Sequence, residues 1–243
     1  MNLAENLRAD GRMVAPRPDL ILRDLRTTRR GTRVHSAPRG HGRAVLLIPG
    51  LFAPNASLNR LARWLQRGGW IPVTAEVGLN IACSQQLADV VTKRARALHR
   101  VTGAPIVVIG QSRGGLHAKV LAVTAPDLVD TVVTLGSPLV SIQGIRPSTR
   151  RAVIALTALH RRGVGTLSED CWQGSGCCAD YMAALREAPR ADIRFVSIYT
   201  ATDRVILPDS CLDPAAEHVE VWATHQGMAM SREVWGELAR ILS

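Results

Sequence analysis

At 243 residues, with 47% apolar and 4% aromatic side chains and a net charge of +10, the chain has the length and composition to bury one substantial core. Its longest apolar runs, such as AVLLI at 44–48, are strand length, far short of the ~20 residues that span a bilayer. Ten arginines against four acids in residues 1–43 supply six of the ten surplus charges, which reads as a solvated basic extension. The basic surplus suits an anionic lipid surface, whereas no recognition helix or interleaving of basic and aromatic residues points to nucleic acid.

The expected organisation is a basic N-terminal extension, 1–43, followed by one domain, 44–243. Near the first residues, Glu5 and Asp10 stand where an export signal needs an apolar run, so a cytoplasmic protein is expected. Residues 1–30 read as one or two helices, and the turn-rich stretch 29–43 offers at most an edge strand around Arg33 to Ser36. From residue 44 the pattern becomes regular. Apolar runs at 44–48, 71–75, 105–109, 131–135, 193–199 and 218–222 predict strands, and helical periodicity follows at 55–67, 84–102, 113–124 and 231–242. Strands that are apolar throughout, alternating with helices, predict an α/β fold with a mostly parallel central sheet covered on both faces.

The interval from about 141 to 190 interrupts that rhythm and is expected to be a cap insertion. Within it, 148–162 has an apolar centre, AVIALTAL, between Arg150, Arg151, Arg161 and Arg162. It fits a lid over an acyl chain and, equally, a buried helix with solvated ends. Five cysteines, Cys83, Cys171, Cys177, Cys178 and Cys211, include no C-x-x-C pair, and CWQGSGCC at 171–178 lacks the spacing and histidines of a zinc site. Neither a metal nor a cofactor is therefore expected. Reduced thiols are the expected state, with a Cys171 bridge to Cys177 or Cys178 open to an oxidant.

In a parallel α/β sheet, ligands bind beyond the carboxyl ends of the strands, so the residues after each strand carry the chemistry. After the third predicted strand comes Gly110-Gln111-Ser112-Arg113-Gly114, a G-x-S-x-G turn into a helix, where a serine is held exposed at a sharp bend. After the fifth comes Asp203, with Asp209 and Asp213 as rivals; after the sixth comes His225, with His117 and His218 as rivals. A serine nucleophile needs an imidazole to take its proton and a carboxylate to fix the imidazole tautomer. It also needs amide donors for the oxyanion. Arg113, just after the serine, and Leu51, after the close-approach glycine Gly50, are placed to offer them.

With LLIPGLFAPNASLNRLARWLQRGGW, VIGQSRGG, VVTLGSP, IYTATDRVILPDSCL and EHVEVWATHQGM in this order, residues 44–243 resemble the α/β-hydrolase superfamily, and more narrowly its bacterial lipase and esterase members. The resemblance implies the α/β-hydrolase fold with a small cap and serine hydrolase activity on a small-molecule or lipid ester. It implies Ser112 as nucleophile, Asp203 as acid, His225 as base and the amides of Leu51 and Arg113 as oxyanion hole. Two departures stand out. Pro49-Gly50 replaces the His-Gly of many relatives, and Arg113 replaces a hydrophobic residue, so its guanidinium is expected to favour acyl groups carrying a carboxylate or phosphate. An acyltransferase or thioesterase would use the same groups, and a catalytically silent binding module would keep only the fold.

Overall fold

The computed structural model describes residues 36–163 and 167–243. The helices expected within 1–30 and nearly all of the basic extension lie outside these residues. Among those described, six strands form one parallel sheet in the order β2-β1-β3-β4-β5-β6. They are β1 (Ala44–Ile48), β2 (Ile71–Thr74), β3 (Ile106–Gln111), β4 (Val129–Leu135), β5 (Arg194–Tyr199) and β6 (Glu217–Glu220). The helices are α1 (Asn59–Arg67), α2 (Ser84–Thr102), α3 (Arg113–Thr124), α4 (Pro147–His160), α5 (Asp170–Gln173), α6 (Ala179–Arg186) and α7 (Arg232–Ile241). Each predicted strand lies within two residues of an observed one. The first predicted helix begins later, at Asn59, because Asn55–Leu58 wind as a 3-10 turn without a side-chain cap.

Successive residues of a strand face opposite sides of a sheet, and β1 supplies both cores in this way. Val45 and Leu47 pack with Leu61, Trp64 and Leu65 of α1 and Val234, Trp235 and Leu238 of α7. Ala44, Leu46 and Ile48 pack with Leu87 and Val91 of α2, Leu121 of α3 and Leu185 of α6. That two-sided burial is why the strand reads as an unbroken apolar run rather than an alternating one. Trp64 and Trp235 stack with ring centroids 5.5 Å apart, joining α1 to α7 across the first face.

α3 is buried along most of its length, including Lys119 and His117. A buried charge needs a partner: Lys119 Nζ donates to Asp213 Oδ2, tying the helix to the loop before β6. The chain between β4 and β5 carries α4, α5 and α6. Its start pairs with the loop after β5 through an Ile145–Ile206 bridge and the amide of Arg146 donating to Val205 O at 2.9 Å.

Candidate active site

β2 and β3 flank β1 on opposite sides, so the chain reverses its winding direction between β1 and β3. The carboxyl ends at such a switch point open a crevice. The loops after both strands meet there. Gly50 comes so near the serine that a Cβ on it would lie 3.2 Å from Ser112 Cβ.

Ser112 sits at φ 52°, ψ −122°, a region L-residues rarely adopt. The glycines around it answer to packing. A Cβ at Gly110 would lie 2.4 Å from Gly114 O, and one at Gly114 would lie 2.2 Å from Ile48 O. Only glycine lets α3 start that close to β3 and β1. The serine amide donates to Leu135 O at 2.8 Å, holding the bend against the end of β4. As the first residue of α3, Arg113 has no intrahelical acceptor for its amide, and the Leu51 amide has no backbone acceptor among the described residues.

His225 Nδ1 and Asp203 Oδ2 lie 2.7 Å apart, both groups buried. The other carboxylate oxygen, Oδ1, accepts the amides of Val205 and Ile206 at 2.7 and 2.8 Å. The acid is thus held in one orientation, and the imidazole keeps Nε2 for a second partner. Gln111 Nε2 donates to His225 O at 2.9 Å, binding the histidine loop to the end of β3. Ser112, Arg113, Leu51 and His225 line one cleft of about 880 Å³. Three of the four rival groups are engaged elsewhere: Asp213 holds Lys119, His218 Nε2 lies 2.7 Å from Asp213 O, and His117 is enclosed in a network of its own.

That enclosed histidine belongs to a network the sequence did not reveal. Asn80 Nδ2 donates to Pro49 O at 2.8 Å, so its Oδ1 is the atom facing His117 Nε2, 3.0 Å away. Nε2 therefore carries the proton, and Nδ1 accepts from Tyr181 OH at 3.1 Å. Burial and, secondarily, the nearby Arg113 cation hold His117 well below the ordinary imidazole pKa, so the ring is neutral. The chain of bonds ends on the carbonyl just before Gly50 and Leu51. Asn80 takes a left-handed φ of 54° to make its contacts.

The structure corrects the expectation for the Arg113 side chain. Nη1 donates to Asn80 O, and Nη2 donates to Ala82 O and Ser84 Oγ, both at 2.9 Å. A guanidinium bound to the 80–84 loop is not held out to a substrate anion. Burial lowers its pKa from the ordinary arginine value. Another arginine, Arg146, which the sequence did not single out, donates through Nη2 to Asp203 O at 3.1 Å and links the acid's loop to the start of α4.

The cleft wall is mostly apolar, including Leu116, Ile142, Ile145, Val153, Leu167 and Ile206. Phe52 and Trp222 also line it while remaining 49% and 66% exposed. On α4, Thr149 and Ala152 face the cleft, Leu156 is buried, and Ile154 and Leu159 are exposed. No helix among the described residues is long and apolar enough to cross a membrane. The four cysteines outside the 211 position, expected to bind no metal, are brought together by the fold.

No family model and no curated protein matches the chain. Solved structures do. The Bacillus licheniformis lipase BlEst2 in its mature form is 13% identical, with a TM-score of 0.61 over 88% of this chain and 96% of that one. The monoacylglycerol lipase of Paleococcus ferrophilus is 17% identical, with a TM-score of 0.55 over 85% and 97%. An α/β-hydrolase enzyme from the metagenome of lagoon sediments at Mar Chica, Morocco, is 14% identical, with a TM-score of 0.55 over 84% and 91%. The chain has the α/β-hydrolase fold.

Proposed function

We propose that the protein hydrolyses carboxylic esters with apolar acyl groups through an acyl-serine intermediate. The observation that carries this reading is the buried Asp203–His225 pair beside a serine strained into a strand-to-helix bend, in one apolar cleft. In the first step Ser112 Oγ attacks the ester carbonyl carbon while His225 Nε2 takes the hydroxyl proton. Asp203 accepts from Nδ1–H and stabilises the imidazolium. The carbonyl oxygen becomes an oxyanion, to which the amides of Leu51 and Arg113 donate; such a donor contributes about 3 kcal/mol to the transition state. The tetrahedral intermediate collapses, the C–O bond to the alcohol breaks, and His225 returns the proton to the leaving oxygen. Water then attacks the acyl-serine by the same route and releases the acid.

The apolar wall suits an acyl chain, and the exposed rings of Phe52 and Trp222 suit the entry of a lipid ester. Exposed Arg150, Arg151, Arg161 and Arg162 at the two ends of α4 fit contact with an anionic lipid surface. Turnover of p-nitrophenyl butyrate and octanoate by the wild type and by Ser112→Ala tests the reading. The expected result is turnover that falls by at least ~10³-fold in the variant. Equal rates in the two proteins would remove Ser112 from the mechanism.

A further inference from the structure

Behind the cleft wall, the sulfurs of Cys83, Cys171, Cys177 and Cys178 all lie within 4.8 Å of one another. Cys83 precedes α2, and the other three come from the α5–α6 region, 88 or more residues later. The separations are 3.4 Å for Cys83–Cys177, 3.5 Å for Cys83–Cys178, 3.8 Å for Cys177–Cys178 and 2.8 Å for Cys171–Cys178. Four thiolates around one zinc ion at ~2.3 Å stand about 3.8 Å apart along the edges of the tetrahedron. A disulfide instead pairs sulfurs at ~2.05 Å and leaves the pairs independent. Here Cys178 approaches all three of the others, an all-against-all arrangement, and the cysteines are free thiols.

The surroundings suit a negatively charged thiolate centre. The amide of Ser84, at the start of α2, donates to Cys171 Sγ at 3.3 Å. The positive end of a 19-residue helix is thus aimed at the sulfurs. Ser168 Oγ lies 3.2 Å from Cys171 Sγ, and Arg113 grips Ala82 O and Ser84 Oγ on either side of Cys83. Such outer donors orient and tune a metal's ligands.

From this geometry we propose that Cys83, Cys171, Cys177 and Cys178 bind one zinc ion as a closed tetrathiolate site that pins the α5–α6 region to the start of α2. With four protein ligands the ion keeps no open position for water, so its role is structural. It stands behind the wall that Ser84, Cys171 and Trp172 contribute to the cleft and fixes that wall in place. The shape of the acyl site, rather than the ester chemistry, depends on it.

Metal analysis of the full chain tests this separately from any esterase assay. Protein purified under reducing conditions is reconstituted with Zn²⁺ and desalted, and a parallel sample is loaded with Co²⁺. The expected result is one zinc per chain and a cobalt spectrum with the strong d–d and thiolate charge-transfer bands of a tetrahedral sulfur site. Cys177→Ser, at the exposed ligand, is expected to weaken zinc affinity by tenfold or more, and Cys211→Ala, outside the cluster, to leave it unchanged. Wild-type protein that retains no zinc and gives no tetrahedral cobalt spectrum would overturn the proposal, whether its thiols prove free or paired as disulfides by intact mass. The cobalt spectrum needs only the wild type, so a ligand variant that fails to fold does not blunt the test.

Discussion

Ser112 keeps a backbone conformation that a Cβ-bearing residue holds only at a cost, here φ 52° and ψ −122°. Such strain amounts to about 1–3 kcal/mol and persists only where neighbours enforce it. Enforcement comes from the Ser112 amide on Leu135 O and from the contacts that admit no side chain at Gly110 or Gly114. Alanine in place of the serine removes the hydroxyl and leaves the strain; glycine removes both. Ser112→Gly is therefore expected to melt about 2–4 °C above Ser112→Ala if ~1 kcal/mol of strain is released after glycine's entropic cost. Calorimetry of the two variants reads this difference, and equal melting temperatures would mean that the bend stores no more strain than glycine's entropic cost offsets, about 0.5–1 kcal/mol.

At the scale of elements, the hydrogen bonds from Tyr181 of α6 through His117 of α3 to Asn80 hold the loop that follows β1. The same network ties stability to pH. Folded His117 is held well below its ordinary pKa by burial first and by Arg113 second, while in the unfolded chain it titrates near 6.5. Below about pH 6.5 the unfolded chain binds a proton that the folded chain refuses, so stability falls as pH falls, by at most ~1.4 kcal/mol per pH unit. Above that pH the penalty vanishes. His117→Gln, whose amide is able to donate to Asn80 Oδ1, is expected to flatten the dependence between pH 6.5 and 5 in urea unfolding. Parallel slopes in the two proteins would contradict the neutral-imidazole network.

The sequence disclosed elements and strand ends far better than it disclosed this network. β1, β3 and β5 are legible because burial on both faces writes continuous apolar runs, and Ser112, Asp203 and His225 stand out because each follows a predicted strand, although β6, before His225, alternates and is largely exposed. Asn80, His117 and Tyr181 lie 37 and 64 residues apart along the chain at each link, with no local pattern to join them. The cysteines escaped for the same reason: spacing within 171–178 omits Cys83, which only the fold delivers. Arg113 misled because adjacency to the serine says where the backbone is, whereas the side chain follows the carbonyls of Asn80 and Ala82.

Across the whole molecule, loops from β1, β3, β5 and β6 converge on one end of the sheet. Each is tied to a neighbour: Gly50 against Ser112, Gln111 to His225 O, and Arg146 to Asp203 O. Pre-positioned groups of this kind need little rearrangement when charge develops on a substrate. The segment between β4 and β5 completes the cleft with apolar side chains, so the two parts are separable: the sheet end holds Ser112, Asp203 and His225, and the segment shapes the space before them. The most direct measurement of the central claim is labelling of the intact protein with a fluorophosphonate, followed by peptide mass mapping and repeated with His225→Gln. A single adduct on Ser112, formed rapidly by the wild type and at least ~10³-fold more slowly by the variant, is the predicted result. An unlabelled Ser112 in folded protein, or labelling indifferent to His225, would contradict the serine hydrolase account.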